Sequence, residues 1–252
     1  MRAVLGGMAS LLALAGAVQA VEVADYRFQG SYASSVGAAP ALTALAGTQS
    51  FVTDTVAGSP TTVLSFAEGA GLVLTPTTGL IASNTYSVAM LVRFDDVSGY
   101  RKILDFRNGT DDDGLYNYSG ELYLYPDFEG TPTPITAGAY HWVVMTRDGA
   151  GNIVGYVDAA QQITGSDSNG IGIIDAANTL RFFADDTTTT GEESAGAVSR
   201  IRIFDHVLSQ PEVAALGGPA IAVPVPGTSR PGLAALLALV LASALLALAR
   251  RR

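Results

Sequence analysis

The stretch from Tyr140 to Asp158 most constrains what this chain can fold into. It consists of two apolar, β-branched runs, YHWVVMTR and IVGYVD, on either side of a DGAGN cluster. Glycine, aspartate and asparagine between two such runs predict a β-hairpin with a tight loop. The first run is apolar on both faces, which is typical of a strand in the middle of a packed sheet. We therefore expect this hairpin at the centre of a sheet, with Trp142 buried there.

Short strand patterns recur along residues 21–217; a strong one covers 84–94, and the last covers 197–204. About ten such strands with regular turn signals predict an all-β sandwich or jelly roll. Residues 29–60, rich in glycine, alanine, serine and threonine, predict a long loop with one short strand near 50–52. The spacing of Ser209, Pro211 and Glu212 predicts one short helix, because it matches a capping box with an early proline.

The hairpin resembles the most recognisable stretch of laminin-G-like, concanavalin A-type jelly rolls. In that family an aromatic residue and a histidine lead a V-V-x-T-R strand, and a Y-V-D-G strand follows. Ala159 stands here in place of the usual final glycine. The closing stretch, from Gly196 to Val213, also resembles the family's last strand and its L-S-x-x-E-V turn. The matching hairpin positions are Tyr140, His141, Val143, Val144, Thr146, Arg147, Tyr156, Val157 and Asp158.

This resemblance covers residues 21–216 and implies a concanavalin A-like (laminin G-like) β-sandwich jelly roll. We expect the sandwich to occupy residues 21–217, between an N-terminal signal peptide and one C-terminal transmembrane helix.

The N-terminal 20 residues have the pattern of a secretory signal peptide. Arg2 precedes a short apolar run from Met8 to Val18, and small residues surround a cleavage position after Ala20. We therefore expect a secreted chain that crosses the inner membrane.

The composition changes after Gly217. Residues 218–231 form a linker rich in proline and glycine, and residues 232–249 are an apolar run of 18 residues. That length is at the short end of what spans a bilayer. Three arginines at 250–252 form a basic tail that would stay on the cytoplasmic side. The pattern predicts a transmembrane helix over 232–249.

A short motif in the linker resembles C-terminal sorting signals of the PEP-CTERM type, which exosortases process in Gram-negative bacteria. It consists of Val223, Pro224, Val225 and Pro226, where the family usually has V-P-E-P. The resemblance implies a C-terminal sorting protease as a partner and a location in the cell envelope or at the cell surface. A plain membrane anchor is the alternative, because a span followed by arginines is sufficient for anchoring.

The charge of residues 21–217 excludes one class of partner. This span has 9 lysines and arginines against 23 aspartates and glutamates, a net charge of −14. Such a domain repels nucleic-acid backbones, so we expect no nucleic acid as a partner. The absence of cysteine excludes disulfides, thiolate catalysis and cysteine-ligated zinc.

We expect no enzymatic activity. Jelly-roll glucanases that retain configuration carry two glutamates around an aspartate on one strand, and this chain has no such motif. Glu192 and Glu193 are adjacent, so on a strand they would point to opposite faces. Neither His141 nor His206 lies in a known catalytic motif.

Calcium is the cofactor that the sequence favours. Aspartates cluster in the loop 108–114 and at the end of the run TLRFFADD, and carboxylates with loop carbonyls suit this cation. The laminin-G-like resemblance also implies calcium at such a rim. The alternative is that both clusters are solvated acidic turns. The predicted ligands are Asp113 and Asp185 first, followed by Asp186, Asp112 and Glu193.

Four tyrosines on closely spaced strands suggest a second kind of site. Sugar rings stack on aromatic faces, so Tyr116 and Tyr118 are candidate ligand-binding residues. Alternation also places Tyr123 and Tyr125 on a common face, as ordinary core packing would. We expect core packing as the ordinary interpretation and keep the binding face as the alternative.

Together these observations predict an exported, surface-anchored, non-catalytic binding or adhesion module. Its expected partner is extracellular polysaccharide or a cell-surface glycan, with calcium as a candidate cofactor. A structural component of a biofilm matrix, without a discrete ligand, is the first alternative. A glycoside hydrolase or lyase is the last.

Overall fold

The structure is a computed structural model that describes residues 21–132 and 134–217. Most of the regular structure in these ranges is β-strand, and one short helix follows the last strand. In chain order the elements are β1 (Glu22–Tyr26), β2 (Thr43–Ala44), β3 (Gln49–Val56), β4 (Ser59–Phe66), β5 (Leu72–Leu74), β6 (Tyr86–Phe94), β7 (Tyr100–Asp105), β8 (Gly114–Tyr118), β9 (Glu121–Tyr125), β10 (Phe128–Glu129), β11 (Tyr140–Arg147), β12 (Asn152–Val157), β13 (Ala160–Ser166), β14 (Leu180–Phe182), β15 (Gly196–Phe204) and α1 (Gln210–Leu216).

The strands form two antiparallel sheets. The first sheet has the order β13-β12-β11-β6-β15-β4-β3, and β1 pairs with β15 beside this path. The second sheet has the order β10-β9-β8-β7-β14-β5-β2. The predicted all-β fold with two sheets is confirmed.

A single main core lies between the sheets, because alternate residues of each strand point inward. Met90, Met145 and Ile201 enter it from the first sheet, and all three are fully buried. Leu115 and Leu122 enter it from the second sheet. The tyrosines that alternate with these leucines therefore lie on the opposite, outer face of the second sheet.

The predicted central hairpin is confirmed. β11 pairs with β12 on one side and with β6 on the other, so it lies inside the first sheet. Val143 and Met145 face the core, while Val144 is buried on the outer face. Both faces of β11 are therefore covered around these three residues.

The predicted burial of Trp142 is wrong. Trp142 lies near the start of β11 and is only partly buried, opposite Leu91 of β6. It shares the outer face with Val144, because Val143 between them points into the core. An apolar run indicates that a strand is central in its sheet, but how deeply each side chain is buried depends on what covers the outer face of that sheet.

We expect Trp142→Ala to lower the free energy of unfolding by about 1–2 kcal/mol, because only part of the indole leaves water on folding. Met145→Ala in the same strand is the matched control. The Met145 side chain is fully buried in the core, so its truncation should lower the free energy of unfolding by about 2–5 kcal/mol. Urea unfolding of both variants measures the difference. A larger loss for Trp142→Ala than for Met145→Ala would contradict the outer-face placement.

Of the strands longer than two residues, two were missing or too short in the sequence prediction. Residues 49–56 form the full strand β3, which pairs along its length with β4 through a turn at Ala57 and Gly58. Both turn residues have positive φ, 49° and 79°, as a tight hairpin turn requires. Residues 160–166 form β13 at the edge of the first sheet. Both strands are rich in polar side chains, which weakens the apolar pattern used to find strands.

The last strand and the helix agree with the prediction. β15 pairs along β6, while its first residues pair with β4 and its last residues pair with β1. At the start of α1 the Glu212 carboxylate accepts hydrogen bonds from the backbone and hydroxyl of Ser209, at 2.7 and 2.6 Å. This is the glutamate half of the expected capping box.

Several predictions concern segments outside the described residues. These are the signal peptide with Ala20, the linker with its motif Val223, Pro224, Val225 and Pro226, the apolar run 232–249 and the basic tail 250–252. Within 21–132 and 134–217, no helix has the length and apolar character needed to cross a membrane.

Candidate functional site: an outer tyrosine face

Five tyrosines lie together on the outer face of the second sheet. We call them the tyrosine cluster, and they come from the adjacent strands β7, β8 and β9. Core packing was the ordinary interpretation of four of them, and it is wrong for Tyr118, Tyr123 and Tyr125, which are partly exposed. Tyr116 is fully buried, but on this outer face, because the leucines of β8 and β9 fill the core between the sheets. The members of the tyrosine cluster are Tyr100, Tyr116, Tyr118, Tyr123 and Tyr125.

Tyr100 lies at the middle of the tyrosine cluster. Its ring centroid is 4.3 Å from that of Tyr118, and the two planes are inclined by 30°. Tyr116 and Tyr125 pack edge-to-face against Tyr100, with centroids at 5.5 and 5.7 Å. Tyr116 is fully buried beneath the others, whereas the remaining four rings are partly exposed. The partly exposed rings form an aromatic surface of the kind on which sugar rings stack.

A pocket of about 220 Å³, including the space open to solvent, borders the tyrosine cluster. Its walls are Tyr100, Tyr116, Tyr125, Asp112 and Glu192. The Tyr116 hydroxyl donates to the carbonyl oxygen of Asp112 at 2.8 Å and lies 3.1 Å from its Oδ1. The pocket therefore combines aromatic walls with two carboxyl groups.

The electrostatics of the pocket are negative. Burial raises the pKa of Glu192, and the charge of Asp112 raises it further, although Tyr116 and Lys102 act in the opposite direction. A carboxyl group in such surroundings is harder to ionise than one in water. A positive charge in the pocket would stabilise the ionised form of this carboxyl group.

Lys102 is a buried cation beneath the same surface. Its side chain is fully buried, and its Nζ lies 3.3 Å from the Asp186 carboxylate. The Nζ also donates to the carbonyl oxygens of Asp112 and Asp113, at 3.2 and 3.4 Å. It lies 4.3 Å from the ring centroid of Tyr116, as a cation–π contact requires. Lys102 thus ties the loop 108–113 to the loop after β14.

The predicted metal ligands come partly together around this lysine. Asp112 and Asp113 supply carbonyl oxygens, and Asp186 supplies a carboxylate. Asp185 is buried beside them, and the charge of Glu193 contributes to raising its pKa after the larger effect of burial. Burial and the charge of Asp111 also raise the pKa of Asp113.

The carboxylates of Asp185 and Asp186 are engaged in holding their own loop. Asp186 Oδ1 accepts backbone hydrogen bonds from Thr188 and Thr189, at 2.6 and 2.8 Å. Burial acts to raise the pKa of Asp186, but these bonds and Lys102 outweigh it, and the pKa lies below its ordinary value. Asp185 Oδ2 accepts from the backbone of Glu192 at 2.9 Å. Among the described residues, no group of three His, Asp or Glu side chains is arranged to hold a metal ion. Calcium binding stays a prediction.

Sequence reasoning missed Tyr100, Glu192 and Lys102 as site residues, and it noted the common face of Tyr123 and Tyr125 without naming them as ligand-binding residues. A signal existed for the tyrosines, because leucine alternates with tyrosine along LYNY and ELYLY, and leucine is the more often buried residue. No local sequence pattern predicts that Glu192 lies near Asp112, because the two are 80 residues apart. They meet only through the pairing of β7 with β8 and with β14.

Comparison with known proteins identifies the family. A laminin G family model, described as concanavalin A-like lectin/glucanases superfamily, matches residues 67–214, more than half of the chain. The chain belongs to the concanavalin A-like lectin/glucanases superfamily. The predicted laminin-G-like identity of the sandwich is confirmed. A comparison with curated proteins gives no match.

Solved structures with the same fold include other members of this broad architecture. One is domain 4 of AbnA, a GH43 extracellular arabinanase from Geobacillus stearothermophilus, in complex with arabinotriose. It aligns with a TM-score of 0.60 and 18% identity, over 79% of this chain and 99% of that one. This similarity shows the fold alone.

Botulinum neurotoxin binding domains also align. The serotype D domain has a TM-score of 0.55 and 10% identity, over 77% of this chain and 51% of the toxin chain. A type C structure, described by a dependence of cell entry on two ganglioside molecules, has a TM-score of 0.52 and 12% identity, over 77% and 50%. The superfamily domain described here therefore spans about half the length of the toxin chains.

Proposed function

We propose that this chain is a non-catalytic glycan-binding module and that the tyrosine cluster is its binding surface. The observation that carries the proposal is the cluster itself: five tyrosines gathered on the outer face of three adjacent strands, with a carboxylate-lined pocket beside them. Tyrosine presents a flat apolar ring with a polar tip, so a surface of partly exposed tyrosines suits the mixed polarity of a sugar.

The comparisons support this class of ligand. The chain belongs to a superfamily of lectins and glucanases, and one structure of the same fold contains an arabinotriose. The expected ligand of this chain is an extracellular polysaccharide or a cell-surface glycan. Export through a signal peptide and anchoring or release by C-terminal processing, with the sorting protease as a partner, belong to the same proposal.

A glycoside hydrolase is the second candidate. The observation that favours it is the presence of two carboxyl groups, Asp112 and Glu192, in one pocket, since glycoside hydrolysis uses a carboxyl pair. Incubation of residues 21–217 with oligosaccharides, followed by analysis of reducing ends, separates the two candidates. Product formation that Glu192→Gln abolishes would replace the binding module with the enzyme.

We expect Tyr118→Ala to weaken glycan binding by about tenfold, which corresponds to ~1.4 kcal/mol of lost stacking. Tyr118 is partly exposed and contacts the central Tyr100, so its truncation removes part of the surface without opening the core. The matched control is Trp142→Ala, which removes a partly buried aromatic residue from the outer face of the other sheet.

A glycan array identifies the ligand, and isothermal titration calorimetry measures Kd for both variants. The titrations are run with calcium and with a chelator, so that the predicted calcium dependence is tested at the same time. Equal weakening by Trp142→Ala would place the site elsewhere. Absence of binding to every glycan on the array would favour the structural matrix component instead.

A further inference from the structure

We propose that the pocket beside the tyrosine cluster recognises a positively charged amino group, so that the preferred glycan contains amino sugars with free amines. This inference rests on the proposed glycan-binding function and names the class of sugar. It follows from three features of the pocket: its carboxyl groups, its aromatic walls and the pairing of the neighbouring Lys102 with other groups.

The carboxyl groups of the pocket have no cationic partner. Asp112 and Glu192 line the pocket, and among the described residues neither forms an ion pair with a lysine, arginine or histidine. The nearby ammonium of Lys102 pairs with Asp186 and with carbonyl oxygens instead.

The aromatic walls suit an ammonium group as well. Tyr100 and Tyr125 stand nearly perpendicular, with an interplanar angle of 79°, and both are partly exposed. The faces of such rings carry negative potential and attract cations. The same cluster already holds one ammonium in this way, since Lys102 Nζ lies 4.3 Å from the Tyr116 centroid.

Other sugar classes fit the pocket less well. A neutral sugar leaves the two carboxyl groups without a counter-charge. A uronic acid would place a third negative charge in the pocket, in a domain whose net charge is already −14. A protonated amine on the sugar ring meets both carboxyl groups while the ring stacks on tyrosine. The stacking surface and the pocket are adjacent because Tyr100 belongs to both.

The test compares oligosaccharides of one length and one linkage: β-1,4-linked glucosamine and its fully N-acetylated counterpart. Calorimetry is run on residues 21–217 in a chelator-containing buffer at a pH where the free amine is protonated. We expect the free-amine oligomer to bind about tenfold more tightly, since one cation–π contact and a partly exposed ion pair together have this magnitude. A lysine hexamer serves as a cationic ligand without sugar rings and should bind more weakly than the glucosamine oligomer.

The variants Glu192→Gln and Asp112→Asn should each reduce the preference for the free amine while binding of the N-acetylated oligomer is retained. Glu129→Gln, an exposed glutamate of the same sheet outside the pocket wall, is the matched control and should leave the preference unchanged.

The outcomes separate this inference from the proposed function. Binding of the N-acetylated oligomer with equal affinity, or a preference that survives both pocket substitutions, overturns the amine inference and leaves the glycan-binding proposal standing. Binding of the lysine hexamer as tight as that of the glucosamine oligomer also overturns it, because the sugar would then play no part. Failure to bind any glycan contradicts the proposed function itself.

Discussion

Lys102→Met is expected to lower the free energy of unfolding by about 3–5 kcal/mol, because it leaves a buried carboxylate without its cation. The lysine side chain is fully buried, as is that of its partner Asp186. Methionine has a similar length and no charge, so the change removes the ion pair and the donors to two loop carbonyls with little change of volume. Urea unfolding at neutral pH measures the loss.

Arg101→Met, one residue earlier in β7, is the matched control. Arg101 pairs with Asp96, whose side chain is half exposed, and exposed pairs contribute only about 0–1 kcal/mol. A loss for Lys102→Met no greater than that of Arg101→Met would show that the buried pair contributes little to stability.

The effect of Lys102→Met should depend on pH in a defined direction. The pKa of Asp186 is lowered in the folded protein, so its contribution to stability is present above the unfolded pKa and is lost as the pH falls through the folded one. The difference between wild type and variant should therefore be greatest near neutrality and shrink in acid. A difference that grows toward low pH would contradict the assigned pair.

Arg147→Met is expected to have an effect of similar size, about 3–5 kcal/mol, for the same physical reason. Arg147 Nε donates to Asp167 Oδ2 at 2.8 Å, and the side chains are 6% and 0% exposed. The guanidinium also donates to the carbonyl oxygen of Asn84 at 3.0 Å. One side chain therefore joins β11 to the segments before β6 and after β13.

Arg202→Met in β15 is the control for this second variant, because Arg202 pairs with Glu22 at the surface, where both side chains are 19% exposed. Thermal unfolding followed by circular dichroism should show a much larger decrease in Tm for Arg147→Met than for Arg202→Met. Similar decreases would mean that burial does not strengthen the Arg147 pair.

The strands with strong apolar patterns could be predicted from sequence, and the polar ones could not. β6, β11, β12 and β15 contain β-branched and aromatic residues on at least one face, so local composition reveals them. β3 is rich in threonine, serine and glutamine and is held by its ladder with β4, a tertiary contact that composition does not reveal.

The candidate site was predictable only in part. Tyr116 and Tyr118 were proposed from their spacing, but the face they occupy depends on where the leucines of β8 and β9 go. The aspartate clusters were found as charged loops, whereas the lysine beneath them was not. Lys102 sits in a strand pattern that reads YRKILD, and nothing local shows that its side chain turns into the protein.

The position of β15 has a consequence for how the chain acquires its structure. Among the described strands β15 is the last in sequence, yet it is the ladder partner of β1, of β4 and of residues 87–94 of β6. Arg200 of β15 also holds Asp25 of β1, with Nε to Oδ1 at 2.7 Å across 175 positions. Contacts at such separation make folding slow, because a long loop must close before any contact forms. A nascent chain that stops before Gly196 therefore lacks the strand that joins its first sheet, and the order of synthesis delays folding until the last strand has emerged.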